Sequence, residues 1–232
     1  MQERVLITGG ASGIGAAIAQ RCRQRGWDTV VVDRDSAADI QADLSDRQAT
    51  AQALERAVEG GAITRLVNNV GMVCPNDLEH QTLDELDLVV SLNLRCALQC
   101  VQALVPGMRQ AGFGRIVNIS SRAALGKELR TAYAATKAGL LGMTRVWALE
   151  LGGAGITVNA VGPGPIRTAL FDRANPADSP RTQAIIDAVP VKRLGQPDDV
   201  AGAVDFFLDA NSGFVTGQTL YVCGGMTVGG VS

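Results

Sequence analysis

Two residues in the run Tyr133-Ala134-Ala135-Thr136-Lys137 have the types and the spacing for proton chemistry. Four apart on an apolar helix, Tyr133 and Lys137 leave the same face about one turn from each other. An ammonium there favours the phenolate, lowering a phenol pKa that starts at about 10 toward the working pH. Such a phenol can give or take the proton while a hydride moves to or from carbon, as a ketone and a secondary alcohol interconvert. Alone, Tyr-x-x-x-Lys also describes a core tyrosine beside a surface lysine. The single histidine, His80, makes a Ser-His-Asp triad or a His-rich metal site a poor competitor, so no metal is expected.

The segment Thr8-Gly9-Gly10-Ala11-Ser12-Gly13-Ile14-Gly15 follows an apolar run and opens a helical one, Ala16 to Cys22. Glycines between a strand and a helix let the backbone approach a pyrophosphate, whose charge is stabilised by the free N–H groups and positive dipole end of the helix. The spacing is GxxxGxG rather than GxGxxG, and such a turn also serves simply to pack a helix on a strand. Asp33 ends the second apolar run, 18 residues after Gly15. A carboxylate there accepts hydrogen bonds from adenosine ribose hydroxyls and repels a 2′-phosphate, which favours NAD over NADP. Arg34 pulls the other way, because a guanidinium pairs with a 2′-phosphate or stacks on adenine.

These groups need a frame. Apolar runs at Val5 to Ile7, Thr29 to Val32, Ile63 to Val67, Ile116 to Ile119, Ile156 to Val161 and Thr219 to Val222 read as buried strands. Between them, Gly15 to Arg25, Asp46 to Glu59, Leu83 to Met108, Ala132 to Leu151 and Asp198 to Asp209 carry helical spacing. Alternation of this kind predicts an α/β fold, a doubly wound parallel sheet with helices on both faces, in one domain over residues 1–232. A short strand around Asp39 to Asp43 follows the second strand too closely for a crossover helix, so that connection is expected to be a turn. The proline-rich stretch about 164–190 is the candidate substrate lid.

Composition excludes several function classes. A formal net charge of -2 offers no excess of cations for nucleic acid or anionic lipid. No uninterrupted apolar run reaches the roughly 20 residues of a membrane span. The N-terminal residues lack a signal-peptide pattern, which predicts a cytoplasmic protein without nucleic-acid or membrane partners. The five cysteines, Cys22, Cys74, Cys96, Cys100 and Cys223, are odd in number and show no CxxC, so neither a disulfide framework nor a zinc site is expected.

Thr8 to Gly15, Asp43-Leu44, Asn68-Asn69-Val70-Gly71, Asn93 in Ser-Leu-Asn-Leu, Ile119-Ser120-Ser121, Tyr133 to Lys137 and Asn159 to Ile166 occur in this order along nearly the whole chain. In this the sequence resembles the short-chain dehydrogenase/reductase family, in its compact single-domain branch with a Rossmann-like fold. The resemblance implies that Tyr133 is the general acid/base, that Lys137 holds the nicotinamide ribose and depresses the tyrosine pKa, and that a serine hydroxyl polarises the substrate oxygen. Asn93 would anchor a water of the proton relay. Gly9, Ser12, Gly13, Ile14 and Gly15 would cradle the cofactor with Asp33 and Arg34, while Asp43 and Leu44 border adenine. Asn69, Val70 and Gly71 would line the nucleotide, and Pro163, Ile166 and Thr168 would meet its nicotinamide end. Each also has a plain structural alternative: Asn93 bonding its own helix, Asp43 capping the helix that starts near Asp46, Thr168 as a loop hydroxyl.

Ser120 and Ser121 compete for the serine role. Strand position favours Ser121, whereas a spacing of 12 from Ser121 to Tyr133, one shorter than the family's usual, favours Ser120. Side-chain direction on a strand is the firmer guide, which selects Ser121. Val70 and Gly162 replace common alanines, and Cys223 stands where the family often has aspartate; a buried small hydrophobe is the expected role of that thiol.

The expected function is NAD(H)-dependent interconversion of a secondary alcohol and a ketone. An NADPH-dependent 3-oxoacyl-type carbonyl reductase is one alternative, and a non-catalytic nucleotide-sensing protein on the same fold is another. A nucleotide-sugar epimerase or dehydratase ranks last, since no extra C-terminal substrate domain is present. Arg122 to Thr131, with Lys127, Glu128 and Arg130, and the lid with Leu170, Phe171 and Arg173 are the expected substrate lining. Their mixed charge reads as solvated loop rather than as a pocket for an anion. The apolar helices Leu83 to Met108 and Ala132 to Leu151 suggest subunit packing, and the resemblance implies a homo-oligomer, tetramer or dimer.

Overall fold

Strands and helices alternate along residues 3–228, the part described by the computed structural model. In chain order they are β1 (Arg4–Thr8), α1 (Gly13–Gln24), β2 (Asp28–Asp33), β3 (Ile40–Gln41), α2 (Arg47–Glu59), β4 (Arg65–Asn68), α3 (Leu83–Val90), α4 (Cys96–Ala111), β5 (Gly114–Ile119), α5 (Thr131–Leu151), β6 (Ile156–Pro163), α6 (Ala169–Ala174), α7 (Pro180–Asp187), α8 (Pro197–Leu208) and β7 (Thr219–Val222). The seven strands form one parallel sheet in the order β3-β2-β1-β4-β5-β6-β7.

The strands read as unbroken apolar runs because both faces are covered. With a side-chain period of two, Leu6, Leu66, Ile116 and Val158 face α2, α4 and α5, while Val5, Ile7, Val67, Val117 and Val161 face α1 and α8. Strand order reverses between β1 and β4, and at such a point the carboxyl ends of the strands diverge into a crevice. The connection from β2 to β3 is a turn, as its length requires. Val32 pairs with Ile40, and the Asp39 carboxylate accepts from the Val31 N–H at 2.8 Å.

Two elements differ from the pattern read in the sequence. The helix expected over Leu83 to Met108 is interrupted: α3 ends at Val90, Ser91–Arg95 form a π-helical turn, and α4 continues to Ala111. Periodicity alone does not register one extra residue in a turn. The stretch 164–190 is not plain loop, because it holds α6 and α7. Thr168 and Ser179 cap them by accepting from the Phe171 and Thr182 N–H groups, and Pro180 occupies the first turn of α7. Helices this short leave too few repeats to show a period.

The helical run Leu83–Ala111, although Asp84, Glu85, Asp87, Arg95 and Arg109 interrupt its apolar residues, contains a stretch of mean hydropathy 1.6 that is long and apolar enough to cross a membrane. Its α4 part packs on the sheet, burying Cys96, Ala97, Cys100, Val101, Leu104 and Met108. At the opposite end of the sheet from the crevice, Arg65 is buried over the Trp27 ring at 4.3 Å, with its Nε donating to the Leu208 carbonyl.

Candidate active site

Helix α5 begins one residue after Arg130 and carries Tyr133 and Lys137 toward the end of β5. The Lys137 ammonium is buried and donates to the Ile119 carbonyl at 2.7 Å, and it lies 5.7 Å from the centre of the Tyr133 ring. Burial pulls the Lys137 pKa down to about 8. Tyr133 goes the other way. Burial raises its phenol above the usual value, and only in part do the Ser121 hydroxyl and the Arg130 guanidinium draw it back. The expected depression of the tyrosine by Lys137 is therefore absent in the ligand-free chain. Desolvation of the phenolate is the largest influence on Tyr133.

The two serines at the end of β5 point in different directions. Ser120 is buried, and its hydroxyl donates to the Lys137 carbonyl at 2.8 Å. Ser121 caps the 3-10 turn Arg122–Leu125 by accepting from the Ala123 N–H at 3.1 Å, and it faces the phenol. Strand alternation thus puts Ser121 on the Tyr133 side.

Asn93 sits in the π-turn between α3 and α4 but does not bond its own helix through the side chain. Its Oδ1 accepts from the Met72 N–H at 2.9 Å, and its Nδ2 donates to the Met72 carbonyl at 3.1 Å and to Thr136 Oγ1 at 3.0 Å. Both amide hydrogens are therefore engaged inside the protein, leaving only oxygen acceptors of this residue for a water. A Cβ on Gly71 would come within 3.1 Å of both Asn93 Oδ1 and Lys137 Nζ, so only glycine brings this backbone so close. Sequence reading passed over Thr136, which lies three residues beyond Tyr133 and joins α5 to the π-turn.

Whether the crevice fits a dinucleotide can be judged from the turn after β1. A Cβ on Gly15 would lie 2.1 Å from the Gly9 carbonyl, so the turn closes only on glycine. Ser12 precedes α1 without capping it through its side chain, and no acidic residue occupies the first turn, which leaves free N–H groups for an anion. The Asp33 carboxylate, at the end of β2, accepts from the Ala11 N–H at 3.1 Å and so stands beside the turn. Arg34 is exposed next to it. Two of the three Lys137 ammonium hydrogens lack a protein acceptor among the described residues. These features fit a pyrophosphate on the turn, a ribose at Asp33 and a second ribose at Lys137.

The remaining predicted residues divide into two groups. Asn69 Nδ2 donates to the Thr8 and Gly9 carbonyls, and Thr8 Oγ1 accepts from the Asn69 and Val70 N–H groups at 3.1 Å, clasping the two turns together. Thr8 is another residue that sequence reading left without a role. A Cβ on Gly13 would lie 3.4 Å from Thr168 Cγ2, so the start of α6 stands over the glycine turn. Ile14 is partly buried against the α1 side of the core, and Pro163 closes β6. Others point elsewhere. Leu44 and Ile166 are buried in the core. Asp43 accepts from the backbone and hydroxyl of Ser45, which hold its carboxyl below the usual range, while Asp46 caps α2. Cys223 is buried against Thr227, at 3.3 Å between sulfur and hydroxyl oxygen.

A parallel sheet that reverses order beside a glycine cradle, with tyrosine, lysine and serine converging at the same crevice, belongs to the class of nicotinamide-dinucleotide oxidoreductases. The chain is a member of the short-chain dehydrogenase/reductase family: residues 9–227 match a family model described as enoyl-(acyl carrier protein) reductase. It is 39% identical over 246 residues to the (2S)-[(R)-hydroxy(phenyl)methyl]succinyl-CoA dehydrogenase subunit BbsD of Thauera aromatica, covering 98% of both chains. It is 32% identical to a 3-oxoacyl-[acyl-carrier-protein] reductase of Staphylococcus epidermidis, covering 97% of this chain and 99% of that one. Among solved structures, a protein of Beutenbergia cavernae described as an NAD(P)-dependent gluconate 5-dehydrogenase, with NADP bound at low occupancy, superposes with a TM-score of 0.91 at 31% identity, over 98% of this chain and 97% of the other.

Proposed function

We propose that this protein interconverts a secondary alcohol and a ketone with NAD(H), and that Tyr133 is its general acid/base. The observation that carries the reading is the convergence of Tyr133, Ser121 and the buried Lys137 on the crevice that the glycine turn opens into. A bound nicotinamide would supply or accept the hydride. Tyr133 donates its phenolic proton to the carbonyl oxygen in reduction and takes it back in oxidation. The Ser121 hydroxyl donates to the same oxygen and fixes its position. Lys137 holds ribose hydroxyls with its free hydrogens, and an oxygen of Asn93 holds a water behind it.

The Asp33 carboxylate supports NAD, because a 2′-phosphate placed beside it meets a like charge. A second reading, NADPH-dependent reduction of a 3-oxoacyl-type ketone, draws on exposed Arg34, on the reductase among the relatives and on NADP in the gluconate dehydrogenase structure. We extend the proposal to a homo-oligomer, since Val146 and Leu149 on α5 are 50% and 85% exposed and offer an apolar face. Light scattering behind a sizing column tests that part.

Activity is tested by following nicotinamide absorbance over a panel of secondary alcohols and ketones, with each dinucleotide. The expected result is turnover that Tyr133→Phe lowers at least about a hundredfold while NADH binding persists. Comparable turnover in that variant, or inertness toward the whole panel, would overturn the reading.

A further inference from the structure

Helix α5 meets the π-helical turn Ser91–Arg95 at two points. At one, Gly139 lets the segments close, since a Cβ there would stand 3.3 Å from Leu94 Cδ1. At the other, about one turn earlier, Thr136 meets Asn93, and both side chains are buried. Threonine inside a helix commonly donates to the carbonyl three or four residues back, and Thr136 does so, to the Tyr133 carbonyl at 2.9 Å. A hydroxyl has one hydrogen to give. With that hydrogen engaged by Tyr133, Thr136 Oγ1 can only accept from Asn93, so it selects the NH2 end of the amide, which donates at 3.0 Å.

An amide keeps nearly the same shape when turned end for end, so its partners decide which atom lies where. Three partners agree at Asn93. The Met72 N–H requires the oxygen, at 2.9 Å, while the Met72 carbonyl, at 3.1 Å, and Thr136 require the nitrogen. The oxygen end is also the one at Gly71, where a Cβ would lie 3.1 Å from Asn93 Oδ1 and 3.1 Å from Lys137 Nζ. A carbonyl dipole near an ammonium is favourable, and an NH2 in its place is not. Without the Thr136 hydroxyl one buried amide hydrogen loses its acceptor, a cost that the amide relieves by turning or by admitting water.

We propose that Thr136 is a positioning residue: its hydroxyl fixes the Asn93 amide so that oxygen, and not NH2, is turned to the Lys137 ammonium and to the water that Asn93 holds. The inference rests on the proposed reaction at Tyr133 and deepens it. One hydroxyl thereby ties the main chain of the general acid/base to the residue behind Lys137.

Helix α5 supplies its own control. About two turns on, Thr144 makes the same pair of bonds, donating to the Leu140 carbonyl at 2.7 Å and accepting from Asn118 Nδ2 at 2.9 Å. Asn118 Oδ1 accepts from Asn68, so this amide serves neither the phenol nor the ammonium. Thr136→Val and Thr144→Val therefore remove equivalent bonds from one helix, and only the first touches Asn93.

With a ketone from the panel, Thr136→Val is expected to lower the single-turnover rate of hydride transfer by about tenfold or more, with KM and NADH affinity held within about twofold. Thr136→Ser should recover the rate to within about threefold, and Thr144→Val should keep it within about twofold while melting lower. Asn93→Ala combined with Thr136→Val should be no slower than Asn93→Ala alone, because both act through one amide. A Thr136→Val protein as fast as the wild type, or losses that multiply in the double variant, would overturn the role. If no ketone turns over, the proposed reaction fails, yet the amide is still read directly by NMR hydrogen exchange of the Asn93 side chain, identified by its loss in Asn93→Ala. Exchange faster by about tenfold or more in Thr136→Val, and slow again in Thr136→Ser, supports the fixed amide; equal exchange in wild type and Thr136→Val sinks it. Where thermal melts show Thr136→Val unfolded, Thr136→Ala removes the same hydroxyl and replaces it in every assay.

Discussion

The Ser120 hydroxyl donates to the main-chain carbonyl of Lys137 at 2.8 Å, which directs it into the contact between β5 and α5 and away from the phenol of Tyr133. Its neighbour Ser121 is left to face Tyr133. Ser121→Ala is expected to lower kcat about a hundredfold or more, as removal of a donor to a reacting oxygen does. Ser120→Ala should act mainly on stability, by about 1 kcal/mol. Steady-state rates and urea melts on the two variants check this; the opposite pattern would make Ser120 the substrate-binding serine.

Tyr133 should titrate above the ordinary tyrosine value of about 10 in the ligand-free protein, because burial disfavours its phenolate. The acid form then prevails at neutral pH, so ketone reduction is supported there and alcohol oxidation gains as pH rises. Only two tyrosines exist in the chain, so the difference in tyrosinate absorbance between wild type and Tyr133→Phe isolates this group. A midpoint below that of free tyrosine would refute the account.

Lys137 couples folding to pH. Its folded value of about 8 lies under the roughly 10.4 of a free lysine, so between them the unfolded chain binds more protons and stability rises with pH. Below pH 8 the buried charge costs on the order of 3 kcal/mol. Measured against Lys137→Met, the wild type should gain about 2 kcal/mol in urea unfolding from about pH 7.5 to 9.5. A difference that stays flat over that range would mean the lysine is not desolvated as described.

Asp33 controls the choice of dinucleotide if its carboxylate meets the adenosine ribose. Asp33→Asn is expected to weaken NADH binding and to shift the ratio of NADPH to NADH affinity at least about tenfold toward NADPH. Fluorescence titration of both reduced dinucleotides gives the ratio. Because Asp33 also accepts from Ala11, a modest loss of stability should accompany the change. An unaltered ratio would leave the selection to Arg34.

Two glycine-to-alanine changes should have opposite signs. At Gly15 a Cβ would strike the Gly9 carbonyl at 2.1 Å, so Gly15→Ala should abolish NADH binding or folding. At Gly142, inside α5, a Cβ meets nothing within 4 Å, and Gly142→Ala should stabilise by roughly 0.5 to 1 kcal/mol. Thermal melts and NADH titration distinguish them.

Strand-helix alternation, the glycine turn and the Tyr133–Lys137 spacing were legible in the sequence because each is a local pattern, set by side-chain period and by backbone turn chemistry. The same locality explains what was missed. The π-turn at Ser91–Arg95 adds one residue to a helix whose apolar pattern barely changes, and α6 and α7 are shorter than the window in which a period shows. Tertiary structure alone decided which serine faces the phenol, that Leu44 belongs to the core, and that burial, not the nearby ammonium, governs Tyr133. Desolvation and through-space charge depend on which residues distant in sequence share a volume. A pattern along the chain records only which neighbours share a face.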